Sequence, residues 1–320
     1  MRVDHRFASM GSTARVTLES EARDAATLDR QADAVRAVLE DVEAALSRFR
    51  PDSELNELNR DLRAGVPASP LLRHFALEVQ SAGARSRGLV DATLLQPLER
   101  QGYTSSRAGV APAALDDALA AAPPRRPARP HPSPAHAGVG VDASGRIVRP
   151  PGVRLDSGGL GKGLAADLAA RTVPPDIRYA ISCGGDLAVG GPPGPPWEIA
   201  VDDAHTGAVV HRLRVRPGGV ATSGISTRLW RREDGSYAHH LLDPSTGEPA
   251  WTGLVAVTAV GRSAVEAEVL AKTAFLSGPE GARRLLRRRG GVLQHDDGRV
   301  EVVAGPPTVH LPRPAARAVA

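Results

Sequence analysis

The sequence predicts an α+β fold, with mixed or antiparallel sheets flanked by helices. Three observations carry that expectation. Residues 25–49 have the apolar period of a helix. Short β-like segments crowd the second half of the chain between 139 and 260. Strands and helices do not alternate in the βαβ rhythm of a doubly wound parallel sheet.

The elements follow in order. Residues 12–18 (STARVTL) alternate and contain β-formers, which predicts a strand. From 25 to 49, apolar residues recur at Leu28, Ala32, Val35, Leu39, Val42, Leu46 and Phe49, the spacing of a helix buried on one face. Arg50-Pro51-Asp52-Ser53 breaks it, and Ser53 can cap a short helix over 54–59. Another helix is expected over 70–84. Six prolines between 123 and 134 exclude a regular element, so 123–137 reads as an irregular insertion. Order returns at 139–148, a hairpin turning at Ala143 to Gly145. A glycine-rich turn and helix (156–172), a strand (179–182) and a two-glycine turn (184–185) come next. Further strands are expected at 197–201, 209–216 and 254–260. The last helix starts at Ser263, where Ser263-x-x-Glu266 has the form of a capping box. One domain is expected over 6–303, with a frayed Pro- and Ala-rich tail over 304–320.

Composition narrows the function classes. Of 320 residues, 42% are hydrophobic and 24% charged, a globular balance. Only four Phe, three Trp and three Tyr occur, so the core must be aliphatic. Forty Lys+Arg against 36 Asp+Glu leave a net charge of +4. The Arg283, Arg284, Arg287, Arg288, Arg289 cluster reads as the solvated end of a helix. No aromatic residues interleave it as a nucleic-acid stacking surface would need. No apolar run is long enough for a membrane helix. The first ten residues lack the apolar core of a secretory signal. A single cysteine, Cys183, excludes a disulfide framework. These features point to a soluble, cytoplasmic protein. Lysine occurs only at Lys162 and Lys272. In a chain that otherwise writes Arg for positive charge, those positions suggest a need for a compact ammonium.

Four constellations could carry chemistry. Residues 155–167 (LDSGGLGKGLAAD) hold four glycines before a helix. This is a phosphate cradle with Lys162 at its mouth, or a tight glycine turn with a surface lysine. It is neither a Walker A loop nor GxGxxG. His239 to Gly247 could bring His240 and Asp243 together for proton transfer, or form a polar Asp-Pro turn. Residues 219–224 (GVATSG) run a strand into small hydroxyl residues without the GxSxG elbow. Glu268 and Lys272 share a helix face, as a site pair or a surface ion pair.

In this order the segments resemble the ApbE family of FAD:protein FMN transferases. Residues 156–167 are similar to its DLGGIAKGYAVD, and 182–190 (SCGGDLAVG) to NxGGDxxxxG. Thr222-Ser223-Gly224 resembles TSG, and 240–247 resembles HIIDPxTG. Met10-Gly11-Ser12 is similar to the MGT entry. Residues 47–55 with Asn59 resemble SxYxPDSEL…N, and 90–98 resembles FDPTVGPL. The resemblance covers about 6–300. It implies a single ApbE-like (T-fold-like) unit carrying the Pro-rich insertion. It implies FAD contacts at Met10, Phe49, Val90, Asp91, Asp156, Lys162, Thr222 and His240. The flavin ring would lie near Phe49 and the pyrophosphate near Asp156, Lys162 and His240. His240 and Asp243 would be catalytic. The implied reaction is Mg²⁺-dependent, with FMN passing to a Thr or Ser hydroxyl of an acceptor flavoprotein and AMP leaving.

Two departures stand out. Phe49 replaces the usual Tyr, which keeps stacking and loses a hydrogen bond. On the last helix the family's ADALATA pattern supplies an Asp and a Thr to Mg²⁺, beside a backbone carbonyl that would here be Gly159. The corresponding residues are Glu268 and Lys272, and an ammonium cannot ligate a metal. The resemblance therefore leaves three readings: a transferase, an FAD pyrophosphatase giving FMN and AMP, and an FAD-binding protein impaired in catalysis.

Overall fold

The computed structural model describes residues 1–305. In chain order its elements are β1 (Arg2–Ser9), β2 (Ser12–Glu19), α1 (Ala25–Leu46), α2 (Glu54–Arg60), β3 (Gly65–Pro67), α3 (Pro70–Arg85), α4 (Leu95–Arg100) and α5 (Leu115–Ala121). The middle holds β4 (Gly140–Val141), β5 (Arg146–Val148), α6 (Gly161–Ala170), β6 (Arg178–Cys183), β7 (Asp186–Gly190), β8 (Trp197–Asp202) and β9 (Val209–Val215). The last part holds β10 (Gly218–Gly224), β11 (Leu229–Arg231), β12 (Tyr237–His239), β13 (Leu254–Gly261), α7 (Ala264–Leu276), α8 (Gly278–Leu286), β14 (Gly291–His295) and β15 (Val300–Val303).

An eight-stranded sheet, ordered β1-β2-β6-β7-β10-β13-β14-β15, organises the chain. Every neighbouring pair in it is antiparallel. Helices flank it, so the α+β expectation holds. α1 buries Leu28, Ala32, Val35, Leu39, Val42 and Leu46, the positions its spacing named. Each fully buried Leu or Val contributes about 1.5–3 kcal/mol. The helix stops at Leu46, before Phe49, because Ser47 turns extended. Phe49 is thereby freed from the α1 stripe and stands 37% exposed.

The core is aliphatic, as the composition requires. Phe75 and Phe275 are the only aromatics among its largest fully buried side chains. Ser53 caps α2 by accepting from the Asn56 N–H at 3.2 Å. Ser263 caps α7 in the same way through Glu266 N–H, also at 3.2 Å. The reciprocal half of the box is replaced, since the Glu266 carboxylate takes Arg262 and Arg289 instead. The expected final helix divides at Ser277 and Gly278 into α7 and α8.

The Pro-rich stretch forms no helix or strand from 123 to 134, and a short 3₁₀ turn follows at Ala135–Gly138. It is nonetheless laid onto the body. Arg126 N–H donates to Trp251 O at 3.0 Å, and Ala128 N–H to Leu276 O at 2.8 Å. The tail expected from 304 lies outside the described residues beyond Gly305.

Candidate active site

A cleft of about 1380 Å³ opens where the β1–β2 and β6–β7 turns meet the end of β10. Met10, Phe49, Val90, Asp91, Asp156, Gly159, Lys162, Thr222, His240 and Lys272 all line it. Glu268 lies behind its wall, buried to 1%.

Lys162, on the first turn of α6, places Nζ 3.4 Å from Asp186 Oδ2 at the start of β7. Its stem crosses Gly184, where a Cβ would fall 2.9 Å from Lys162 Cδ. Gly184 also has φ +60°, so a side chain there would be both strained and obstructive. Burial pushes the Asp186 carboxyl up to about 6, against the pull of Lys162. The same carboxylate raises the Lys162 pKa.

α6 and α7 lock each other through carboxylates. Asp167 on α6 accepts from the Ala264 and Val265 N–H groups at 2.8 and 2.9 Å, satisfying donors at the start of α7. Glu268 on α7 returns the arrangement, its Oε2 accepting from Gly163 N–H at 2.9 Å. The helices cross so closely that a Cβ at Gly163 would sit 2.8 Å from Val265 backbone atoms. Glu268 Oε1 accepts from Lys272 Nζ at 3.1 Å. Lys272 Cε would be 3.7 Å from a Cβ at Gly159. The anion at the α6 N-terminus is thus the protein's own Glu268, and the ammonium groups face the cleft.

The opposite wall is aromatic and cationic. The Arg48 guanidinium lies 4.2 Å from the Phe49 ring centroid and 4.3 Å from that of Tyr103. Phe49 and Tyr103 are 5.7 Å apart, Tyr103 and Trp230 5.4 Å. Arg48 Nε is 3.0 Å from Asp156 Oδ1. Burial raises the Asp156 pKa despite Arg48. Asn59 holds this loop in place, donating to Leu155 O at 2.8 Å and accepting from Leu155 N–H at 2.7 Å.

His240 is half-buried, and its Nδ1 has no hydrogen-bond partner. Burial holds it well below the usual imidazole range, with His239, Lys272, Lys162 and Arg228 adding to the effect. It is therefore neutral at pH 7. Thr222 Oγ1 pairs with Thr258 Oγ1 at 2.9 Å. Met10, at φ 49°, turns the β1–β2 hairpin and brings its sulfur 3.5 Å from Cys183. Val90 N–H is already committed, donating to Ser86 Oγ at 2.9 Å.

Two expected residues are placed differently. The Asp91 carboxylate turns to His136 Nδ1 at 3.2 Å and to Thr93, so only the rest of Asp91 is offered to the cleft. Asp243 does not line the cleft. Its Oδ1 accepts from Ser245 N–H, Ser245 Oγ and Arg129 N–H at 2.9, 2.7 and 3.1 Å. Three hydrogen bonds thus commit Oδ1 to an Asx turn and to the Pro-rich strap. The structure brings His240 to the cleft without Asp243.

The ApbE family profile matches residues 10–294. The chain belongs to the ApbE family. It is 30% identical over 304 residues to a Treponema pallidum protein named FAD:protein FMN transferase, covering 88% of this chain and 81% of that one. It is 28% identical over 296 residues to a Salmonella typhimurium protein of the same name, covering 88% and 80%. The fold is shared with an ApbE protein of Thermotoga maritima at TM-score 0.78 and 23% identity, covering 94% and 97%.

The Mg²⁺ that ApbE membership implies does not suit the residues present here. Both Glu268 oxygens already have partners, and Lys272 brings a cation to the place a ligand would occupy. No group of three or more His, Cys, Asp or Glu suited to a metal occurs among the described residues.

Sequence reasoning left several members of this ApbE cleft unnamed. Asp186 sat inside the SCGGDLAVG segment, and its burial beside Lys162 needed the β6–β7 turn to become visible. Arg48 was one arginine among many. Tyr103 carried a usable signal, because aromatics are scarce and it stands beside Phe49, with Trp230 packed behind it and outside the cleft lining. Arg228, which donates to Gly11 O at 2.7 Å, also lines the cleft.

Proposed function

We propose that this ApbE-family chain is an FAD:protein FMN transferase, moving FMN from FAD to a Thr or Ser hydroxyl of an acceptor flavoprotein. One observation carries the reading. Both lysines of the chain, a neutral His240 and the Phe49–Tyr103 wall line a single cleft. A dinucleotide needs those parts together: cations for its two phosphates and a flat surface for its flavin.

In the proposed reaction the acceptor oxygen bonds to the flavin-side phosphorus. The bridging P–O bond breaks, and AMP leaves with the bridging oxygen. The hydroxyl proton passes to His240, whose neutral imidazole lines the cleft. His240 starts as a weak base, and the negative charge of bound FAD raises its basicity towards the working pH. Lys162 and the site's other cations offset phosphate charge, the main requirement of phosphoryl transfer. Met10, Val90, Asp156 and Thr222 would shape the FAD pocket. Asp91 would do so from its backbone, and Asp243 would hold the turn that carries His240.

Incubation with FAD and a Thr-containing acceptor peptide tests the proposal. Flavinylated peptide with one AMP released supports it. AMP and FMN without adduct would make the protein a pyrophosphatase. Intact bound FAD would make it a flavin-binding protein without transfer, a reading that Lys272 favours. No helix among the described residues is long and apolar enough to cross a membrane. Cytoplasmic residence belongs to the proposal, supported by the single buried cysteine, and cell fractionation tests it.

A further inference from the structure

We infer that the ammonium of Lys272 is a built-in countercation, so that FAD binds this cleft without a divalent metal. The inference rests on the flavin reading above and specifies which cationic donor meets the phosphates.

The two lysines are mounted alike. Each ammonium is paired with a carboxylate that is almost wholly buried: Asp186 for Lys162, with 2% of its side chain exposed, and Glu268 for Lys272, with 1%. Each lysine side chain is the more exposed partner, 30% for Lys162 and 11% for Lys272. A surface ion pair spreads both partners into water, and this pair does not. Glu268 is fixed from behind by the Gly163 N–H, so it holds the ammonium in one place. An ammonium has three donors. One goes to Glu268, and the others remain for phosphate oxygens. The stem runs past Gly159, where a Cβ would lie 3.7 Å from Lys272 Cε.

A divalent ion has no room in this arrangement. It would have to displace the ammonium from Glu268 and would gain only one side-chain oxygen in return. Mg²⁺ needs an octahedral oxygen shell. The exchange also sets the charge. A metal on a carboxylate would present one net positive charge, whereas the Lys272–Glu268 pair is neutral overall. Its contribution is therefore position rather than net charge, with a donor group held where a phosphate oxygen can reach it.

The test measures binding, not turnover. FAD is titrated into the apoprotein in EDTA and in excess Mg²⁺, and Mn²⁺ binding is followed by electron paramagnetic resonance. The wild-type protein is expected to leave Mn²⁺ free and to bind FAD within about twofold in the two media, less than ~0.5 kcal/mol. Lys272→Thr should weaken FAD binding in EDTA by about tenfold and regain it with Mg²⁺. Glu268→Gln with Lys272→Met should also weaken binding but gain no Mg²⁺ response. Mn²⁺ binding by the wild-type apoprotein, or a Mg²⁺-dependent rise in its FAD affinity, overturns the inference alone. No FAD binding in either medium overturns the flavin reading, and the inference with it.

Discussion

Lys162 Nζ and Asp186 Oδ2 stand 3.4 Å apart across the β6–β7 turn, with the carboxylate buried and the ammonium open to the cleft. The pair is polarised towards a ligand: the negative end is fixed inside and the positive end is presented. Removing Lys162 therefore does two things. It takes a donor from the phosphates and leaves Asp186 buried without its partner. Lys162→Ala is expected to weaken FAD binding by about 1–3 kcal/mol. Titration of FAD into the variant checks this, and unchanged affinity would refute a phosphate role for Lys162.

The same pair predicts a pH dependence. Burial pushes Asp186 up to about 6 in the free protein. An anionic ligand nearby raises it further, so binding takes up a proton above that pH. FAD affinity should then fall as pH rises from 6 towards 8. Asp186→Asn should flatten the profile. Folding linkage has the same sign. The folded carboxyl binds protons more tightly than an unfolded Asp, so its contribution to stability is greatest below pH 3.8 and declines as pH rises to about 6. FAD affinity that rises with pH across this range would rule the assignment out.

His240 and Asp243 separate in the structure, and their variants should separate too. His240→Ala is expected to lower kcat far more than it weakens FAD binding, by about 10²–10⁴-fold if it moves the proton. Asp243→Ala loses the acceptor for three donors. Its expected effect is a lower Tm, from about 1–3 kcal/mol of lost stability. Asp243→Asn keeps the Oδ1 acceptor and should recover most of that. A full-length, stable Asp243→Ala protein with normal Tm and no turnover would restore a catalytic role to Asp243.

The contrast shows what could be read from residues alone. α1 was legible because its six buried positions keep one helical stripe. Phe49 continued the spacing only by coincidence, and its release into the cleft depended on Ser47 turning extended. β1 was not anticipated because it is an edge strand. Its outward positions carry Arg2, Asp4 and Arg6, which leaves a polar string with little apolar contrast. The sheet order was also hidden, since β10 pairs with both β7 and β13 through contacts distant in sequence. Lys162 and Lys272 were visible because lysine is rare here. Arg48 performs a comparable task at Asp156 and was invisible among many arginines. Asp243 looked catalytic because a turn-making aspartate and a proton-relay aspartate have the same local sequence.

Gly163 predicts how tightly Lys272 is registered against α6. A Cβ there would meet Val265 backbone atoms at 2.8 Å. Backbone cannot swing aside as a side chain can, so α6 and α7 must separate. Gly163→Ala is expected to cost about 1–3 kcal/mol of stability. It should also weaken FAD binding, because the Gly163 N–H that fixes Glu268 moves with the helix. Thermal melts with and without FAD read both effects. An unaltered Tm would show that the helices are not held at this crossing.

The last prediction concerns which end of the dinucleotide meets Phe49. The ring is partly exposed and lies beside Arg48 and Tyr103, whose own guanidinium–ring and ring–ring contacts fix the wall. A flat ligand placed there gains a stacking contact worth about 0.5–1.5 kcal/mol. Phe49→Ala should therefore weaken FAD and FMN by about two- to tenfold. ADP, which lacks the flavin, should bind as before. Phe49→Tyr should keep the stacking contact. Tyr103→Ala should resemble Phe49→Ala, because the Tyr103 ring supports both Phe49 and the Arg48 guanidinium. If Phe49→Ala instead weakens ADP as much as FAD, the wall receives the adenine, and the flavin lies at the other end of the cleft.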